Sequence, residues 1–173
     1  MKVIRPHDPR WKELFTVEAQ SLRAQLGQTA LQIEHIGSTA IPNILAKPII
    51  DIVVEAASLE DLEAQTPAMV KIGYESRGEH GIPGRRYFKK RRDGSGVGYH
   101  VHSFARGSTH IVRHVQFRDF LLLEPDVAQE YSALKQTLAS STGVLVDDYV
   151  QRKSEFVGRV QRLASLRFSE AAE

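Results

Sequence analysis

Residues 33–55 read IEHIGSTAIPNILAKPIIDIVVE, and their pattern decides the fold. An apolar, β-branched run ends at Gly37-Ser38, a connector follows, and a second apolar run carries one carboxylate, Asp51. β-Branched runs bounded by Gly, Pro and Asn read as strands, so the stretch is strand, glycine-serine loop, connector, strand. Gly37 lets the backbone come close to a ligand, Ser38 and Thr39 add hydroxyls, and Lys47 adds a cation. Together they suit a phosphate held by backbone N–H groups. Asp51 interrupts an otherwise apolar strand, and a carboxylate there is costly to bury unless it meets a metal, a cation or a donor. The plainer alternative is a tight turn whose neighbouring carboxylate caps the backbone, because a Gly-Ser pair alone is a weak motif.

Upstream, Asp8-Pro9 offers an N-cap with proline at the first helical position, and Trp11, Leu14, Phe15, Leu22 and Leu26 recur on one face until Gly27. That is a first helix whose apolar side covers the sheet begun by Leu31, Ile33 and Ile36. Downstream, Ser58 with Asp61 three residues on opens a helix to about Ile72, which Pro67 should kink or split. Gly78, Gly81, Pro83 and Gly84 make a glycine-rich loop, residues 86–92 read as a strand, and Asp93-Gly94 signals a hairpin to a return strand over 97–104. The last third is helical. Ser108 caps a helix through Phe117 and Phe120 to Glu124. Pro125 and Asp126 open the next, carrying Val127, Tyr131, Leu134 and Leu138. After a loop at 140–143, Asp147 or Asp148 starts a final helix with Tyr149, Phe156, Val160 and Leu163 on one stripe.

Tyr99-His100-Val101-His102 puts both histidines on one face of the return strand. With Asp51 from a neighbouring strand they supply three ligands for a divalent metal, Mg, Mn or Zn; imidazole with carboxylate favours the transition metals over Mg. The alternative is simply the polar side of a strand. Glu34 and His35 flank the glycine loop and could join either site, or equally are plain surface positions of a strand. Residues 85–92, RRYFKKRR, interleave basic residues with Tyr87 and Phe88. Such a segment binds phosphates or single strands by charge and stacking, or else is a solvated edge hairpin; Arg86 is the residue read as a ligand contact.

Composition narrows the classes. The 173 residues, 42% hydrophobic, suffice for one domain over 1–173, with a sheet-containing core over about 1–105 and a helical part over about 106–173. A formal net charge of +2 gives no bulk argument for nucleic acid. The absence of cysteine excludes disulfides, thiolate catalysis and cysteine zinc sites. No apolar run reaches signal or membrane-span length, so a cytoplasmic protein is expected. Ser38 lacks a Gly-x-Ser-x-Gly elbow, and neither a Walker A pattern nor a Gly-x-Gly-x-x-Gly fingerprint is present.

Glu34-His35-Ile36-Gly37-Ser38-Thr39, Pro42, and Lys47-Pro48-Ile49-Ile50-Asp51 resemble the opening motif of the GrpB family. The resemblance continues at Arg86 and Phe88, at residues 117–121, at 131–135, and at Tyr149, Lys153 and Phe156. It implies an α/β (α+β) fold, a small mixed β-sheet packed by helices with a C-terminal helical group, similar to the nucleotidyltransferase superfamily. In that superfamily Gly-Ser precedes an Asp-x-Asp pair that holds the catalytic metals. Asp51 matches the second Asp, and Ile49 stands where the first would be.

The resemblance further implies that Arg118, Lys135 and Lys153 converge with Lys47 and Arg86 on the glycine loop as an anion pocket, with Asp119 orienting one of them. The expected function is binding of a nucleoside triphosphate or other phosphorylated small molecule, extending to nucleotidyl transfer with Asp51 and Ser38 at the catalytic centre. The alternatives are a non-catalytic accessory module, since GrpB-like domains are also joined to dephospho-CoA kinases, and a metal-dependent enzyme of another class built on Asp51, His100 and His102.

Overall fold

The computed structural model describes residues 4–91, 94–140 and 146–170, the side chains of 138–140, 146–150 and 170 excepted. Helix α1 (Arg10–Leu26) leads into β1 (Ala30–Ile36), and β2 (Ile49–Ala56) follows the glycine-serine connector. The short helices α2 (Leu59–Ala64) and α3 (Thr66–Lys71) precede β3 (Glu75–Ser76), β4 (Arg85–Lys90) and β5 (Gly98–Ala105). Helices α4 (Thr109–Leu123), α5 (Pro125–Ser140) and α6 (Val146–Glu170) complete the chain.

The strands form one mixed sheet in the order β1-β2-β5-β4-β3. Only the central β2/β5 pair is parallel. Strands β4 and β5 pair antiparallel as expected, although Asp93 of the anticipated turn lies outside the described residues. The same holds for 141–143 of the expected loop and for the side chains of Leu138, Asp147, Asp148 and Tyr149; the last helix opens at Val146.

Local sequence accounts for the helix boundaries. Asp8 Oδ1 accepts the Arg10 N–H at 3.0 Å, and Pro9 pre-sets the first turn. Ser58 Oγ accepts the Asp61 N–H at 3.0 Å to start α2. Pro67 lacks the N–H a continuous helix needs, and the expected split appears as α2 and α3. Ser108 caps α4.

Strand alternation sorts side chains onto the two faces of the sheet. Ile50, Ile52, Val54, Phe88, Tyr99 and Val101 meet Trp11, Leu22 and Leu26 of α1, Leu62 of α2 and Met69 of α3 in the larger core. The opposite face sends Ile36, Val53 and Phe104 against Ile111 and Val115 of α4. Helices α4, α5 and α6 share their own apolar seam, which reaches the connector through Ile41 and Ile44. Leu45 N–H also donates to Ser132 Oγ of α5 at 2.8 Å. The connector after Gly37 is therefore held between sheet and helical group. Among the described residues no helix is long and apolar enough to cross a membrane.

Candidate functional site

Gly37 ends β1 with φ 72, a conformation that costs any side chain. A Cβ there would lie 2.6 Å from Asp51 Oδ2, so both backbone and space require glycine. The turn Ser38–Ala40 follows, closed by Ala40 N–H to Gly37 O at 3.2 Å. Thr39 is buried; its hydroxyl donates to Ile49 O at 3.1 Å and accepts from His35 Nε2 at 3.0 Å. His35 is itself buried and stacked on Phe15, with ring centroids 4.7 Å apart. Burial pushes its imidazole down to about 4, so it is neutral at physiological pH. This corrects two expectations. The Thr39 hydroxyl is engaged inside the fold instead of facing a ligand, and His35 is a lock on the turn instead of a surface residue.

Register places Asp51 beside His100, and His102 one pleat further along the same face. His100 Nδ1 and His102 Nε2 both lie 3.5 Å from Asp51 Oδ1. Burial alone would push this carboxyl up, but the two imidazoles hold it well below the usual carboxylate range. Arg85 Nη1 lies 3.4 Å from His102 Nδ1. A guanidinium can only donate, so Nδ1 is the acceptor in this contact. Tyr87 packs against His80, His100 and His102, and His114 of α4 packs against His102.

The three expected metal ligands are thus brought together, with the carboxylate oxygen 3.5 Å from a nitrogen of each imidazole. Among the described residues no group of three or more His, Cys, Asp or Glu is arranged to hold a metal ion. With one carboxylate and Ile49 two residues before it, the donor set does not fit the carboxylate-bridged ions of a two-metal transferase.

The cations divide. Lys135 Nζ of α5 donates to Ser38 Oγ at 3.0 Å and lies 4.2 Å from the centre of the Tyr131 ring. Burial, with Lys153 of α6 facing it, holds its amine down to about 7. Arg118 instead is a strap between α4 and β1. It donates to Glu34 Oε2 at 2.8 Å, to His35 O at 2.8 Å and to Asp119 Oδ1 at 2.7 Å, so Asp119 does orient it and Glu34 is an ion-pair partner. Lys47 is exposed, two residues before β2.

Arg86 lies on the far face, donating to Glu63 Oε1 at 2.6 Å. Its neighbour Arg85 faces the histidines and also holds the carbonyls of Glu79 and His80. The choice of Arg86 is corrected by parity. Phe88 must face the core, which puts Arg86 on that side and Arg85 with Tyr87 on the other. The alternation in RRYFKK carried that signal.

The chain matches the family model described as GrpB protein over residues 2–162. It is 40% identical over 151 residues to the UPF0157 protein YqkA of Bacillus subtilis, covering 87% of this chain but only 43% of that one. A crystal structure of conserved protein GrpB from Enterococcus faecalis superimposes with a TM-score of 0.85 at 35% identity, covering 96% of this chain and 99% of the other. A dephospho-CoA kinase of Mycolicibacterium paratuberculosis is 27% identical over 183 residues, 92% of this chain and 45% of its own length. The Cid1 poly(U) polymerase with MgGTP bound overlaps loosely, with a TM-score of 0.46 at 15% identity over 73% of this chain and 44% of its own, a likeness that bears on neither substrate nor mechanism. The extent of the family match and the near-complete superposition together place this chain in the GrpB family.

Proposed function

We propose that the chain binds a nucleotide or another phosphate-bearing small molecule at the Gly37-Ser38 turn. One observation carries the reading. Lys135 of α5 donates to Ser38 Oγ and is opposed electrostatically by Lys153 of α6, and no carboxylate among the described residues pairs with either. Two like charges in a half-buried place oppose folding unless an anion between them is the working state. Phosphate supplies that anion. Its charge would draw a proton onto Lys135 and relieve the repulsion.

Nucleotidyl transfer through paired metal ions is a finer reading that the donor set around Asp51 does not favour, so no metal is assigned a role in binding. Calorimetric titration of ATP, GTP, CTP and UTP, with and without Mg or Mn, tests the proposal. The expected outcome is metal-independent binding weakened at least tenfold by Lys135→Met or Lys153→Met. Absence of binding to any of the four would sink it. The reading then favoured is an accessory module of a longer chain, for which the dephospho-CoA kinase relative is the supporting observation.

A further inference from the structure

A serine hydroxyl is a weak nucleophile until a neighbouring base takes its proton. Most lysines are protonated at neutral pH and cannot serve. Lys135 is in a different position. Among the described residues the groups that act on it are Lys153 of α6, the Tyr131 ring on its own helix, and from the turn the Ser38 hydroxyl, 97 residues away in sequence. No carboxylate among the described residues stabilises its charged form, and burial with Lys153 brings its amine to about 7. A large fraction of the chains therefore carry an open lone pair on Nζ, 3.0 Å from Ser38 Oγ. Ser38 is only half-buried, and its neighbour Thr39 is fastened to Ile49 O and His35, so the hydroxyl is accessible on a fixed turn.

We propose that Ser38 and Lys135 form a nucleophile–base pair that takes a phosphoryl or nucleotidyl group from a phosphoric anhydride bound at the turn. The Ser38 Oγ–P bond forms as the bond from phosphorus to the bridging oxygen breaks. The hydroxyl proton passes to Lys135 Nζ, and the leaving phosphate departs with the electron pair of the broken bond. Lys153 and the newly protonated Lys135 neutralise that charge. The substrate class rests on the binding proposal above; the reactivity of Ser38 does not.

A fluorophosphonate probe separates the two, because it brings its own electrophilic phosphorus: Oγ–P forms, P–F breaks, fluoride leaves and the proton again goes to Lys135. Peptide mass spectrometry of the full chain should find the adduct on Ser38, with a labelling rate that rises with pH to a plateau and a midpoint near 7. Lys135→Arg, which keeps a cation but no usable lone pair, should slow labelling at least tenfold with the circular dichroism unchanged. No adduct, an adduct on Lys135 or elsewhere, a flat pH profile, or labelling of Lys135→Arg at the wild-type rate would overturn the pair. Labelling of Ser38 in a chain that binds no nucleotide would leave the pair standing and remove the binding proposal; binding without labelling would do the reverse.

Discussion

Lys90 and Lys135 sit in opposite surroundings. On the α1 face of the sheet, Lys90 Nζ lies 3.0 and 3.1 Å from the two oxygens of Glu18, which also accepts from the Tyr74 hydroxyl at 2.8 Å. Glu18 is 6% exposed, yet every charge there has a partner. Between β1, α5 and α6, Lys135 meets a hydroxyl and another lysine. The first arrangement is complete within the chain. The second has no counter-charge among the described residues, and this contrast is what the proposed binding site rests on.

Breaking the paired side should cost most. Glu18→Ala leaves Lys90 and the Tyr74 hydroxyl without their acceptor and should lower unfolding stability by about 3 kcal/mol in urea denaturation. Lys135→Met should instead leave stability within about 1 kcal/mol of wild type, or raise it, because it removes a desolvated charge that has no counter-ion among the described residues. Equal losses in the two variants would end the distinction.

Gly37→Ala should cost about 2 kcal/mol, from the positive φ and from the overlap with Asp51 Oδ2, and should disturb the turn that presents Ser38. Alanine tolerated without loss would mean that the turn relaxes and that its close approach to Asp51 is not required.

The pH dependence of stability separates the buried histidines from Lys135. His35 and His114 are neutral in the fold, with imidazoles pushed down to about 4 by burial, but protonate in the unfolded chain near 6.5. Stability present at neutral pH should therefore fall as pH drops from 6.5 toward 4, by on the order of 3 kcal/mol for each imidazole. Lys135 acts over another window. Its amine is near 7 in the fold and 10.5 unfolded, so stability should rise with pH between those values, and Lys135→Met should flatten that rise. Ligand affinity should decline across the same rise, since a neutral amine no longer attracts phosphate.

The smallest effect is expected at Arg86→Ala. Its ion pair with Glu63 is at the surface on the face away from Ser38, so stability should change by about 0.5 kcal/mol or less and nucleotide affinity not at all. An affinity loss in this variant would return Arg86 to the site.

Periodicity and turn chemistry, both local properties, carried most of the fold. The first helix and its apolar face, the Ser58 and Ser108 caps, the break at Pro67 and the strands around Gly37-Ser38 follow from interactions a few residues long. The placement of His100 and His102 on one face also follows, because the strand period is two whatever surrounds it. Parity around Phe88 would have separated Arg85 from Arg86 in the same way.

Long-range contacts decided the rest. Sequence alone made Thr39 a phosphate contact; only the fold brings Ile49 O and His35 to its hydroxyl. The family resemblance put Arg118 in the anion pocket; only the packing of α4 on β1 gives it Glu34. Ser38 and Lys135 were each legible as site residues, but their approach depends on α5 packing against the connector through Ser132 and the apolar seam. The electrostatic state of a side chain depends on what surrounds it in space and how far water is excluded. For that reason the sequence determined which residues are candidates for chemistry, and the tertiary structure alone decided which of their charges are already answered.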